Sequence, residues 1–199
     1  MTAKAKSSLL NALFYQIGWF ACVLGAATGW GRAGGILAVI LALVHLLLAE
    51  RPGKEWPLMI AAVVLGIGVE WFHSGVGVLD FLGHQAGSPP PIWILGLWLQ
   101  FATTLHFSLG WLSKRYPLAA LLGLIGGPLA FLGGERLGAA TFGDPRALSL
   151  GLIALAWAIA LPVLVRFADQ LGGVGRYTVC SGHPEALIDL TAPLGQRNT

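Results

Sequence analysis

Glu70, His73 and Asp80 are the residues whose types and spacing come nearest to chemistry. Together with Gly66 and Gly77 they recur at intervals of four, three, four and three. At about 100° per residue, that spacing places all five within one quadrant of a helix. A carboxylate three positions before an imidazole is an acid–base pair. The same spacing supplies metal ligands in some helix bundles, where further ligands arrive from other helices. Here the remaining ligand candidates are Asp80 and Glu135, both expected at a water interface. The pattern therefore favours a carboxylate–arginine pair over a metal, and no metal or cofactor is assigned. Arg136 is the counter-ion expected, because it is the basic residue that a neighbouring helix would bring to the level of Glu70. Gln100 and Thr104 share a helix face with Trp93, Leu97, Phe107 and Trp111 and could add polar lining. The expected pocket thus draws on Glu70, His73, Asp80, Gln100, Thr104, Glu135 and Arg136, opens towards the outer side, and has no assigned catalytic residue. His45 and His106 are expected as isolated packing residues in the inner half, where Asn11 and Gln16 also fall.

The elements that must position these residues are apolar runs. There are 25 uncharged residues between Lys6 and Arg32, 19 between Arg115 and Glu135, and 19 between Arg146 and Arg166. A hydrocarbon core of roughly 30 Å needs about 20 apolar residues as helix, and lipid offers the backbone no other partner. The chain is 56% hydrophobic and only 11% charged, and its mean hydropathy is +0.74. That composition excludes an ordinary soluble domain. The fold class expected is all-α, a polytopic membrane bundle of six transmembrane helices over residues 1–166, with a loosely ordered cytoplasmic tail over 167–199. The helices are expected near Ser8–Gly29, Gly35–Ala49, Trp56–Leu79, Ile92–Leu112, Pro117–Leu137 and Ala147–Val165. The second is the shortest, so five spans and a re-entrant segment is the alternative. Counted from Pro57, Glu70 lies about 20 Å along its helix, within hydrocarbon depth, where an ionisable residue costs about 2.5–3.5 kcal/mol at the centre.

Basic residues set the orientation. With the N-terminus inside, the inner segments hold Lys4, Lys6, Arg51, Lys54, Lys114, Arg115, Arg166 and Arg176, against Arg32, Arg136 and Arg146 outside; eight against three places both termini in the cytoplasm. Trp30, Trp56, Trp93 and Trp111 fall at helix ends, where indoles settle at the interface. The first apolar stretch is too long for a signal core and is expected to remain as a helix. Cys22 and Cys180 fall in different environments, which argues against a disulfide. Small residues at helical spacing, namely Gly18, Cys22, Gly25 and Gly29, then Gly123, Gly127, Ala130 and Gly134, mark close helix contacts. The second stripe is expected to meet helix 1 or helix 3. Gly126-Gly127-Pro128 is expected to bend its helix.

Three pieces of sequence, NALFYQIGW from Asn11, PIWILGLWLQFATTLHFSLGWL from Pro91 and GGPLAFLGGERLGA from Gly126, are distinctive in their order. In them the chain resembles a bacterial inner-membrane family catalogued as domain of unknown function 2878. The resemblance implies a multi-pass inner-membrane protein and transfers no catalytic residue. The function expected is non-enzymatic: binding or handling a small or lipid-like molecule, or supporting a membrane partner protein. The bilayer is the expected environment, and nucleic acid is not an expected partner. The alternative is an enzyme acting on lipid or quinone through Glu70, His73 and Asp80. No inverted repeat marks a transporter, and neither a His-Glu-x-x-His run nor a Gly-x-Ser-x-Gly elbow occurs.

Overall fold

A computed structural model describes residues 2–82, 88–172 and 175–180. Six α-helices carry the fold: α1 Ala3–Ala27, α2 Gly31–Leu48, α3 Pro52–Gly75, α4 Ile92–Thr104, α5 Tyr116–Arg136 and α6 Arg146–Leu171. Two short strands, β1 Leu79–Phe81 and β2 Ala140–Phe142, pair antiparallel with Asp80 opposite Thr141. Five of the helices are long and apolar enough to cross a bilayer; α4, with 13 residues, is the shorter sixth. This is a helical membrane protein. Its packing is centred on α4, which touches α1, α2 and α3, while α5 lies along α6 and α6 also meets α3.

The surface is inverted relative to a water-soluble fold. Leu9, Leu43, Leu47, Val64, Leu129 and Ile159 are exposed, whereas Asn11, His45, Glu55, Glu70, His73, Gln100, Thr103 and His106 are buried. In lipid the outside is apolar, and polar groups must find partners within the bundle.

Local chemistry explains several departures from the sequence expectation. α3 starts at Pro52, which occupies a first-turn position where a missing N–H costs nothing. The helix therefore gains a turn before Trp56, and Glu55 enters it. Glu70 then lies about 27 Å along α3 rather than about 20 Å. α3 stops before Asp80 because Gly77 adopts φ +69°, a left-handed conformation open to glycine. Asp80 consequently leaves the helical stripe and points outward from β1. α2 begins at Gly31 instead of Gly35 and, with 18 residues, is long enough to span.

α4 does not continue to Leu112. Thr103 and Thr104 turn their hydroxyls onto the carbonyls of Gln100 and Phe101, at 2.7 and 2.6 Å. Such back-bonding competes with the helical ladder. Beyond it, Leu105 bonds Ala102 and Phe107 bonds Thr104, both three residues back, and a 3-10 turn follows at Gly110–Leu112. The carbonyls so released are taken up elsewhere: Thr103 O by Asn11, Phe107 O by Ser8 and His106 O by the Gly175 N–H. Irregular backbone at membrane depth requires such partners.

Glycine contacts differ from expectation in one respect. The Gly123 and Gly127 face of α5 meets α6: a Cβ on Gly123 would collide with the Trp157 carbonyl, and one on Gly127 would sit 2.5 Å from the Trp157 ring. It does not meet α1 or α3 there, because the large indole of Trp157 needs the space that these glycines leave. The α1 stripe does make contacts, with Gly18 against the Gln100 side chain and Cys22 beside Gly34 of α2.

The tail is also more ordered at its start than expected. α6 runs to Leu171, and residues 175–180 pack back on the bundle, with Tyr177 fully buried and bridged to Ala49. The rest of the expected tail, residues 173–174 and 181–199, lies outside the described residues, as do 83–87 of the loop after Asp80.

Candidate functional site

α3 carries Glu70 and His73 one helical turn apart, and both are fully buried. His73 Nδ1 lies 3.3 Å from Glu70 Oε2. The other carboxylate oxygen, Oε1, accepts the indole N–H of Trp98 from α4 at 3.0 Å. Gly66, one turn earlier on the same face, makes this possible: a Cβ there would run into the Trp98 ring. Trp98 in turn stacks on Trp157 of α6, with centroids 4.7 Å apart and planes 15° apart. His73 stands perpendicular to Phe131 of α5 at 6.0 Å. The carboxylate is thus held by side chains of α3 and α4, which are backed by aromatic rings of α6 and α5.

Glu70 also forms part of the wall of a half-open cavity of about 60 Å³. The other walls include Tyr15 and Trp19 from α1, Trp93, Trp98 and Phe101 from α4, Phe131 from α5 and Trp157 from α6, with Phe81 and Ala140 from the β pair closing one end. Among the 16 described lining residues Glu70 is the one carboxylate, and none is a base. Trp93 was expected at the lipid interface; it is 6% exposed and meets Phe81 edge-on at 5.4 Å instead, while Trp30, Trp56 and Trp111 are exposed.

The other expected pocket residues lie apart. Arg136 is the last residue of α5 and is exposed; among the described residues no ion pair joins it to Glu70. A long side chain at a helix end extends towards water rather than into the bundle, and Trp98 and His73 have taken the carboxylate. Glu135 pairs with Arg146, whose guanidinium also sits over Phe142 at 5.4 Å. Asp80 is exposed on β1. Gln100 is buried, but its amide donates to Ala38 O of α2 at 2.9 Å. Thr104 lines a second cavity, which shares Tyr15, Phe101, Ala130 and Trp157 with the first but does not include Glu70. So the structure brings together Glu70 and His73 and separates the rest. Among the described residues, no group of three or more His, Cys, Asp and Glu side chains is arranged to hold a metal.

A second buried network occupies the end of the bundle where the start of α1 and residues 175–180 lie. Glu55 meets His106 Nδ1 at 3.0 Å and His45 Nε2 at 3.4 Å. His45 Nδ1 lies 2.9 Å from the Tyr177 hydroxyl, to which Asn11 Nδ2 donates at 3.3 Å. His106 Nε2 lies 3.0 Å from Ala168 O, where its N–H donates. Every ring nitrogen of the two histidines is therefore engaged. They are not isolated, as the sequence had implied, but share one carboxylate. Burial pushes the Tyr177 phenol up to about 12, with the nearby Glu55 charge adding to the rise against the opposing Asn11 bond. Glu55 escaped the sequence reading because it stands among loop residues, and Tyr177 because it lies in the segment read as tail. Trp98 and Trp157 carried one signal: a glycine turn at Gly66, Gly123 and Gly127 implies large opposing side chains.

Apolar spans around buried polar networks define a multi-pass helix-bundle membrane protein. The family model described as "Protein of unknown function (DUF2878)" matches residues 8–163, and the chain belongs to that family. No curated protein and no solved structure matches it.

Proposed function

We propose that this is a bacterial inner-membrane protein, with both termini cytoplasmic, that holds a small lipid-like molecule in the aromatic cleft beside Glu70 without transforming it. The observation carrying this reading is the cleft's composition. Its walls are aromatic and aliphatic, and the single carboxylate among them already has both oxygens occupied. Ligand pockets combine such apolar walls with a few placed polar groups. A cavity of about 60 Å³ accommodates a head and its first carbons, leaving a longer chain to extend into the bilayer. The cytoplasmic placement rests on the excess of Lys and Arg in loops at the termini end.

The enzymatic alternative rests on the Glu70–His73 contact, since a carboxylate that orients an imidazole is a recurring base arrangement. Asp80, its third member, is exposed and outside the cleft. Lipid extraction of the protein purified in mild detergent tests the binding reading. A stoichiometric apolar molecule, lost when Ala130→Trp fills the cleft, is expected. If wild type and the filled variant carry the same lipids in the same amounts, the cleft holds nothing specific.

A further inference from the structure

A second, half-open cavity of about 310 Å³ adjoins the cleft beside Glu70, and Tyr15, Phe101, Ala130 and Trp157 are walls of both. α1 and α5 each contribute to both cavities. Yet α1 packs on α2 and α4, whereas α5 packs on α6, so a trough is left between the two helices. They approach where a Cβ on Gly133 would lie 3.4 Å from the Trp19 ring. Beyond that ring the trough faces the bilayer. Gln16 on one rim is exposed, and a Cβ on Gly126 of the other would meet nothing within 4 Å. Over residues 123–134 the trough follows α5 for about 16 Å, roughly half of a hydrocarbon core of ~30 Å. One leaflet gives a single chain about that depth.

The polar groups along the trough select among chains. The Thr104 hydroxyl donates to Phe101 O, and the Ser108 hydroxyl to Asn11 Oδ1. The Tyr15 hydroxyl has no hydrogen-bond partner among the described residues, while its ring meets Phe101 edge-on at 6.1 Å. A phenol both donates and accepts, so it pairs with a hydroxyl or a carbonyl alike. Tyr15 is the middle residue of the 25 in α1, which puts it near mid-membrane. The ester oxygens of a bilayer phospholipid stay at the headgroup level, beyond its reach, and a charged head at that depth is costly. We propose that the α1–α5 trough admits an uncharged single-chain lipid sideways from the bilayer. Its oxygen function meets the Tyr15 hydroxyl, and its chain lies along the second cavity. This inference rests on the binding reading above and adds the entry route and the class of lipid.

The test places the full chain in vesicles of phosphatidylethanolamine and phosphatidylglycerol with hexadecanol or hexadecane, each carrying a diazirine at mid-chain. Irradiation and peptide mass spectrometry locate the label. The alcohol is expected to mark residues 12–19 and 123–130 roughly tenfold more than the hydrocarbon, as one good hydrogen bond implies. Tyr15→Phe keeps the ring and should bring the alcohol down to the hydrocarbon level or below. Gly126→Leu fills the second cavity from a position with room for a side chain, and should remove the label from both walls. Gly68→Leu, on an exposed part of α3, should change nothing. Equal labelling by the two probes in wild type overturns the oxygen contact. Label that is as strong on α2 and α6 and ignores Gly126→Leu overturns the trough and assigns ordinary phospholipid to it. If label then persists at Phe131 and Gly134 and is lost in Ala130→Trp, the cleft beside Glu70 stands without the trough. Its absence there as well overturns both.

Discussion

The indole of Trp98 occupies the space that Gly66 leaves on α3 and from there donates to Glu70 at 3.0 Å. Glycine and carboxylate are one turn apart, so a single helix face admits the ring and supplies its acceptor. Gly66→Ala should therefore destabilise the protein by about 1–3 kcal/mol through overpacking. Gly68, with nothing within 4 Å of its would-be Cβ, should tolerate Ala or gain slightly from it. Thermal melting in detergent of the two variants gives the comparison; equal melting temperatures would remove the packing argument.

Glu70 draws its partners from Trp98 and His73, with Arg136 exposed. Glu70→Gln and Arg136→Gln should thus be additive within about 0.5 kcal/mol, as for distant sites. Trp98→Phe and Glu70→Gln should couple strongly, because each removes the other's partner. Rescue of Glu70→Gln by Arg136→Gln would restore the charge pair that the structure replaces.

Removing the Tyr177 hydroxyl should loosen the docked segment at residues 175–180. Tyr177→Phe deprives His45 and Asn11 of a shared partner, at about 1–3 kcal/mol. Limited proteolysis should then cleave after α6 faster than in wild type, with the helices intact.

The same phenol sets a pH dependence. Its folded value is raised to about 12 above an unfolded value of about 10. The stabilisation is present in full below pH 10 and is lost as pH rises towards 12. Its size is on the order of 2–3 kcal/mol. Protease protection of the segment should therefore be insensitive to pH between 7 and 9 and fall above pH 10 in wild type, whereas in Tyr177→Phe it starts lower and shows no such fall. Parallel profiles for the two proteins would show that the phenol does not hold the segment.

Gly127→Leu should disrupt the α5–α6 contact, because even a Cβ would sit 2.5 Å from Trp157. Leu124, 44% exposed, should accept Ile. Reporter fusions at Met1 and Thr199 check the orientation, with cytoplasmic signals expected at both.

The apolar runs made the spans legible, and the Gly66–Glu70–His73 spacing located one carboxylate–imidazole contact. What sequence spacing does not carry is the end of an element. Asp80 continues the helical pattern on paper, yet the left-handed turn at Gly77 takes it out of the helix. Trp111 lies at helical spacing from Trp93, yet two threonines close α4 first. Partners far apart in the chain were equally hidden. Nothing local to Glu55 indicates that His45 and His106 converge on it. Arg136 was matched to Glu70 by depth alone, and depth says nothing about which way a terminal side chain extends.

The early end of α4 bears on how the protein is made. The segment emerges as a short helix followed by carbonyls that lipid cannot satisfy, and its acceptors are met by donors from opposite ends of the chain. Asn11 and Ser8 are already synthesised when Thr103 and Phe107 appear, but the Gly175 N–H that takes the His106 carbonyl comes last. The fourth span cannot be finished at the moment of insertion. It waits until α5, α6 and Gly175 have followed, so the fourth helix is finished only after the sixth has been made.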